Sequence, residues 1–218
     1  MTDSLIKGFK NFKKHYYERD RSTIMSLVKD GQKPKTLVIA CSDSRVDPAI
    51  LFQAKPGEIF AIRNVANLVP EYNPDGGLHG VSSAIEYAVR DLKVENIIIL
   101  GHAHCGGISA LCKTFTEDKN KIETEETKRE FIGNWVNIAA KVKNNINLND
   151  KNESLQHIVE KESIKNSIKN LYTFPWVLKS IKDKKLNIFG WWFDLENGEI
   201  LSYDDKDDKV LNISKKDD

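Results

Sequence analysis

Apolar positions along the chain keep two different rhythms. Leu5, Phe9, Phe12 and Tyr16 recur at three- and four-residue steps, the spacing of one helix face. A second short helix is predicted from about Ser22 to Asp30, stopped by Gly31. The rhythm then changes. "TLVIAC", "EIFAIRN" and "NIIILGH" are short apolar runs, partly β-branched and without polar alternation, which is the pattern of strands buried on both faces. Between the last two, Leu78, Val81, Ala84, Ile85, Ala88, Val89 and Leu92 make a helical stripe, so strand, helix and strand predict a right-handed parallel crossover. The polar stretch from Thr116 to Arg129 reads as solvated. Phe131, Trp135, Ile138, Val142 and Ile146 then resume helical spacing until the Asn-rich "KNNINLND". A helix is predicted over Ser154 to Leu171, Pro175 suits the first turn of the next, and "LNIFGWWFDL" with "ENGEILSYD" reads as a hairpin turning at Asn197-Gly198. The charged "DDKDDKVLNISKKDD" reads as a solvated tail. The expected organisation is a helical arm over 1–30, an α/β domain over 31–205 and a tail over 206–218.

Length and composition narrow the class of protein. With 218 residues and 40% hydrophobic content, the chain is long enough for one well-buried core. Its 33 basic and 32 acidic residues nearly cancel, so no net field draws it to nucleic acid or an anionic membrane. No apolar run approaches the roughly 18 residues of a spanning helix, and the N-terminal segment lacks the apolar region of a signal peptide. The expected location is the cytoplasm. Cys41, Cys105 and Cys112 are an odd number in a long chain, a poor disulfide framework that leaves thiols for metal or chemistry.

The unusual residues fall just past the carboxyl ends of predicted parallel strands, where open α/β sheets place their ligands. Cys41 ends one strand, and "GHAHCGG", residues 101–107, ends another. His102 and Cys105 are close enough in sequence to reach one ion, and Cys41 completes a set of two thiolates and an imidazole. Zinc accepts those donors in a tetrahedron, and three protein ligands leave one position for water or substrate. Two thiolates cancel the ion's charge and weaken it as a Lewis acid, so nearby groups must compensate. Asp43 and Arg45 are the candidates. A bidentate guanidinium would keep Asp43 ionised and off the metal, and the carboxylate could then only accept a hydrogen bond, which orients its donor.

"CSDSRVDP", "RNVANLVP", "AIEYAV" and "GHAHCGG", in this order and spacing, resemble a β-class carbonic anhydrase. The likeness is close over about residues 31–112 and looser in "FGWWFDLENGEILSYD". It implies a central, mainly parallel sheet with an antiparallel edge strand, flanked by helices, with N-terminal helices embracing a partner chain. It implies one Zn2+ per chain on Cys41, His102 and Cys105, and a catalytic Asp43–Arg45 pair. The implied reaction is reversible hydration of carbon dioxide to bicarbonate and a proton by zinc-bound hydroxide. Gln32, Phe60, Val65 and Tyr87 stand where the plant-like form has its substrate pocket. The other form, with an inhibitory bicarbonate site, has Trp three residues before the first zinc Cys, where this chain has Val38. The resemblance also implies sites at dimer interfaces, hence a homodimer or a higher even-numbered homo-oligomer.

Other readings compete at single positions. Cys41 alone could be an inert buried thiol, and a structural zinc site would need Cys112 as fourth ligand. A cysteine phosphatase loop would need Arg at position 47, which is Asp47. His104 reads as exposed, as a proton acceptor or as a ligand, and His79 as a loop or pocket residue. Gly106 and Gly107 open a helix whose backbone N–H groups could approach a substrate oxygen. Plant-like relatives often carry a histidine four residues after the pocket tyrosine, where this chain has Asp91. A hydrolase of carbonyl sulfide or carbon disulfide, using the same zinc set, is the alternative enzyme.

Overall fold

The computed structural model describes residues 2–116, 129–147, 153–203 and 210–215. Its strands are β1 (Thr36–Cys41), β2 (Ile59–Asn64), β3 (Asn96–His102), β4 (Asn187–Asp194), β5 (Glu199–Tyr203) and β6 (Val210–Asn212). They form one sheet in the order β2-β1-β3-β4-β5-β6. The first four run parallel, while β5 and β6 are antiparallel. The apolar runs are strands because both faces are covered. Leu37, Ile39, Ile97 and Ile99 enter one core, and Val38, Ala40, Ile98 and Leu100 enter another on the opposite face. Each fully buried Leu or Ile there contributes on the order of 2 kcal/mol.

The helices are α1 (Thr2–Phe12), α2 (Arg21–Asp30), α3 (Pro48–Leu51), α4 (Gly80–Glu86), α5 (Gly106–Thr116), α6 (Ile132–Val136), α7 (Leu155–Leu171) and α8 (Pro175–Lys182). Ser154 caps α7 by accepting the His157 N–H, and Pro175 opens α8 as expected. Gly31, at φ 74, ends α2. The helix α7 lies close on the sheet because Gly101 and Gly190 face it: an added Cβ would stand 2.7 Å from Ile164 at either position.

Two expectations need correction. The tail expected over 206–218 contributes β6: Ser202 stands opposite Leu211 and Tyr203 opposite Val210. The charges around Val210 and Leu211 hid a strand long enough to pair with an exposed edge, so two antiparallel strands close the sheet. Residues 206–209 and 216–218 lie outside the described residues, as do 117–128 of the stretch expected to be solvated. The helix expected from Phe131 to Ile146 is α-helical only in α6 and tightens to a 3-10 helix over Asn137–Asn145. The arm expected over 1–30 is helical, and α1 buries none of its residues in this chain.

Candidate metal centre

Cys41 is the last residue of β1 and His102 the last of β3, and these strands are parallel neighbours with Ala40 opposite Leu100. Both side chains therefore leave the sheet at one end. His104, at φ 57, turns the chain towards α5. That turn brings Cys105 beside Cys41, with the sulfurs 3.9 Å apart. The donor atoms of Cys41, His102 and Cys105 all lie within 4.8 Å of one another. Two thiolates on a tetrahedral zinc, each about 2.3 Å from the ion, would stand about 3.8 Å apart. The imidazole is set for a metal as well. His102 Nδ1 lies 2.8 Å from the Ala103 carbonyl, which can only accept, so Nδ1 carries the proton. The lone pair on Nε2 is left buried and, among the described residues, without a hydrogen-bond partner. An unmet buried acceptor costs about 1–3 kcal/mol, and a cation removes that cost.

The contact between the two sulfurs lowers the Cys41 thiol, while the same contact and burial push the Cys105 thiol upwards. Holding both as thiolates requires a cation between them. Cys112 is outside the cluster, and burial pushes its thiol up to about 11. The donors present therefore fit a zinc ion with three protein ligands and one open position.

Asp43 and Arg45 form the expected bidentate pair: Nε to Oδ1 at 2.9 Å and a terminal nitrogen to Oδ2 at 2.7 Å. The Arg45 backbone N–H also donates to Oδ1, at 2.9 Å. These bonds, chiefly the guanidinium's, hold the Asp43 carboxyl well below the usual carboxylate range. Its Oδ2 lies 4.0 Å from His102 Nε2, facing the donors without joining them. Arg45 also donates to the His104 carbonyl at 3.0 Å, which ties the two loops together.

The spacing of the motifs did not reveal two further groups. Arg63 donates to the Cys41 carbonyl at 3.1 Å, to the Asp43 carbonyl at 2.6 Å and to the Asp47 carboxylate at 2.7 Å, bracing the loop from behind. Glu160, 2% exposed on α7, accepts the Cys105 backbone N–H at 2.8 Å, Gln156 Nε2 at 3.0 Å and Trp192 Nε1 at 3.3 Å. Burial raises its pKa. Its one signal in the sequence is a carboxylate inside the stripe that includes Ile164, Ile168 and Leu171.

The expected pocket residues divide. Val65 follows β2, beside the donors: the Ala66 N–H lies 3.4 Å from Cys41 Sγ. Gly107 packs against Val65, whereas a Cβ on Gly106 would meet nothing within 4 Å, so that face of α5 is open. Phe60 and Tyr87 form an aromatic pair with centroids 5.9 Å apart, but at the other end of the sheet. Phe60 stands opposite Leu37 while Asn64 stands opposite Cys41, four residues or roughly 13 Å along the strand. Gln32 precedes β1 at that same far end. His104 pairs with Glu196 at 2.8 Å and His79 with Asp75 at 2.6 Å, both at the surface, where Asp91 also lies.

A doubly covered, mainly parallel sheet with a Cys, His, Cys donor set and an acid–guanidinium pair at its carboxyl edge defines a metal-dependent enzyme. Residues 36–200 match the carbonic anhydrase family. "Beta carbonic anhydrase 3" of Arabidopsis thaliana is 41% identical over 200 residues, covering 90% of this chain and 74% of the relative. A carbonic anhydrase of Pseudomonas aeruginosa is 32% identical over 213 residues, covering 97% and 91%. The solved structure of the β-carbonic anhydrase CcaA matches with a TM-score of 0.85 at 30% identity, over 97% of this chain and 91% of that one. The chain belongs to the β-class carbonic anhydrase family. It is a zinc lyase that interconverts carbon dioxide with bicarbonate and a proton, and hydrolysis of carbonyl sulfide or carbon disulfide is not favoured beside these relatives. Among the described residues no helix is long and apolar enough to cross a membrane.

Proposed function

We propose that Cys41, His102 and Cys105 hold the zinc and that Asp43 and Arg45 are the catalytic pair. The observation that carries this is the buried, partnerless Nε2 of His102, facing two sulfurs 3.9 Å apart. When bound, zinc supplies the Lewis acidity that makes water a nucleophile near neutral pH. Asp43, ionised and only able to accept, would accept a hydrogen bond from the water and so leave the water's lone pair to face the substrate. Arg45 keeps that carboxylate from becoming a fourth ligand. Val65 offers an apolar wall to carbon dioxide, and the open face at Gly106 leaves room for a substrate oxygen near a backbone N–H. Cys41→Ser, His102→Ala and Cys105→Ser are expected to lose zinc and carbon dioxide hydration together, while Cys112→Ser keeps both. Metal analysis with stopped-flow hydration tests this, and full zinc occupancy in any of the first three variants would refute the ligand set.

The working enzyme in this reading is a homodimer or an even-numbered assembly of dimers. Gln32, Phe60 and Tyr87 are too far along the sheet to line their own chain's site, so a second copy supplies them. Two further features support the assembly. Leu5, Phe9, Phe12 and Tyr16 are exposed along one stripe of the arm. An apolar groove of about 610 Å³, lined by Val65, Phe131, Trp135 and Ile138 among others, opens beside the donors. A related solved structure is that of two tetrameric β-carbonic anhydrases from Sordaria macrospora, with a TM-score of 0.74 at 24% identity. Val38 and the four pocket residues favour the form in which bicarbonate acts only as product. Thiol donors suit a reducing compartment, and the cytoplasm is the proposed location.

A further inference from the structure

Both backbone polar groups of Cys105, its N–H and its carbonyl, are held by side chains of one helix. The Cys105 N–H donates to Glu160 Oε1 at 2.8 Å, and the Cys105 carbonyl accepts from Gln156 Nε2 at 3.2 Å. Gln156 and Glu160 stand one helical turn apart on α7, where i and i+4 side chains share a face. They also bind each other, Nε2 to Oε1 at 3.0 Å. Trp192 Nε1, from β4, donates to the other carboxylate oxygen at 3.3 Å. Among the described residues three N–H donors and no acceptor meet the Glu160 carboxylate, so it must accept on both oxygens. A neutral apolar residue would fill this core without the desolvation that a buried carboxylate costs. What a carboxylate adds is a fixed acceptor for Cys105, locked in orientation from two sides.

We propose that Glu160, with Gln156, positions Cys105: the pair clamps its backbone and so fixes the direction in which the sulfur meets the metal. Cys105 needs such a hold. It follows a left-handed His104, at φ 57, and stands at the mouth of α5. Its rotation would carry the sulfur away from Cys41. The inference rests on the reading of Cys105 as a zinc ligand, and it predicts an effect on metal retention as well as on catalysis.

The test measures zinc release from the holoenzyme to a chelator, together with the thiolate-to-metal charge-transfer band of the cobalt-substituted protein. Glu160→Gln keeps an oxygen for Cys105 but turns its NH2 towards the Trp192 N–H, two donors face to face. Zinc release is expected to quicken by about 10- to 100-fold, the usual scale for loss of a partner that orients a metal ligand, and the cobalt band to shift. Adding Trp192→Phe removes the opposing donor, and Glu160→Gln/Trp192→Phe is expected to recover most of the retention, which a merely weakened core would not do. Gln156→Ala, at a half-buried position that tolerates truncation, is expected to give a smaller rise and so tests the clamp even if Glu160→Gln folds poorly. Unchanged release and an unchanged cobalt band in Glu160→Gln and Gln156→Ala would overturn the clamp, as would a double variant that releases zinc as fast as Glu160→Gln. Cys105→Ser separates the two readings. If it keeps its zinc, the ligand assignment fails; if it loses zinc while Glu160→Gln behaves as wild type, only the clamp fails.

Discussion

Asp43 and Arg45 lie two positions apart in sequence and make three hydrogen bonds to each other. Arg45→Ala is expected to free Asp43 towards the metal, and Asp43→Ala to leave the water without its acceptor. Each is expected to keep zinc and lose turnover by about 100-fold, the scale for a misplaced reacting group. The double variant is expected to be no worse than the poorer single one, because the two act as a unit, and stopped-flow hydration on zinc-replete protein measures this. The pair also has a pH signature. Its folded pKa is lowered by Arg45, so its contribution to stability is complete above the unfolded value of about 3.9 and is lost as pH falls through the folded pKa. Below about pH 4, denaturation of wild type is therefore expected to steepen relative to Asp43→Asn. The spacing exposed this pair, and two short motifs at the ends of predicted strands exposed Cys41 on one side and His102 with Cys105 on the other, because each motif carries its own chemistry-bearing side chains. Arg63 and Glu160 stayed hidden because the first meets the loop only through strand pairing, and the second meets Cys105 across 55 positions of sequence.

At the scale of elements, the approach of α7 to the sheet decides where Glu160 can reach. Ile164 is fully buried and touches two glycines: Cδ1 towards Gly101 and Cγ2 towards Gly190. It cannot retreat from both. Gly101→Ala and Gly190→Ala are each expected to lower stability by about 1–3 kcal/mol through overpacking, read as a lower urea midpoint with an unchanged slope. Gly133→Ala, where a Cβ meets nothing within 4 Å, serves as the contrast. The strands β1 and β3 were legible to the residue because burial on both faces demands an unbroken apolar run. The strand β6 was not. Its three residues carry too little pattern against flanking charges, and only the open edge of β5 makes them a strand. The tightening of the chain after α6 was hidden for a related reason, since α- and 3-10 helices share nearly the same apolar spacing over a few turns.

The whole molecule raises a question of geometry that one chain cannot answer alone. The donors stand at the carboxyl end of the sheet, and Phe60, Tyr87 and Gln32 stand roughly 13 Å or more back along it. The resemblance implies one pocket at a dimer interface, where residues of both chains can meet, but it carries no distances and so does not say which of these residues share a chain's own site. If a second copy completes each site, two differently damaged chains must repair one another. Cys41→Ser lacks a ligand but keeps Tyr87; Tyr87→Ala keeps every ligand but lacks the aromatic wall. In a hybrid dimer, one of the two sites then combines intact ligands with an intact wall. Equal amounts, unfolded and reassembled together with zinc, are expected to regain roughly a quarter of wild-type activity under random pairing by twofold symmetry, well above the mean of the two parents. A mixture no better than that mean would place Tyr87 and the ligands in the same chain's site and overturn the shared pocket. Leu5→Asp/Phe9→Asp, on the exposed stripe of α1, adds the complementary arm. If the arm holds the copies together, this variant sediments as a smaller species and loses hydration while its isolated chains still carry the complete Cys41, His102 and Cys105 set.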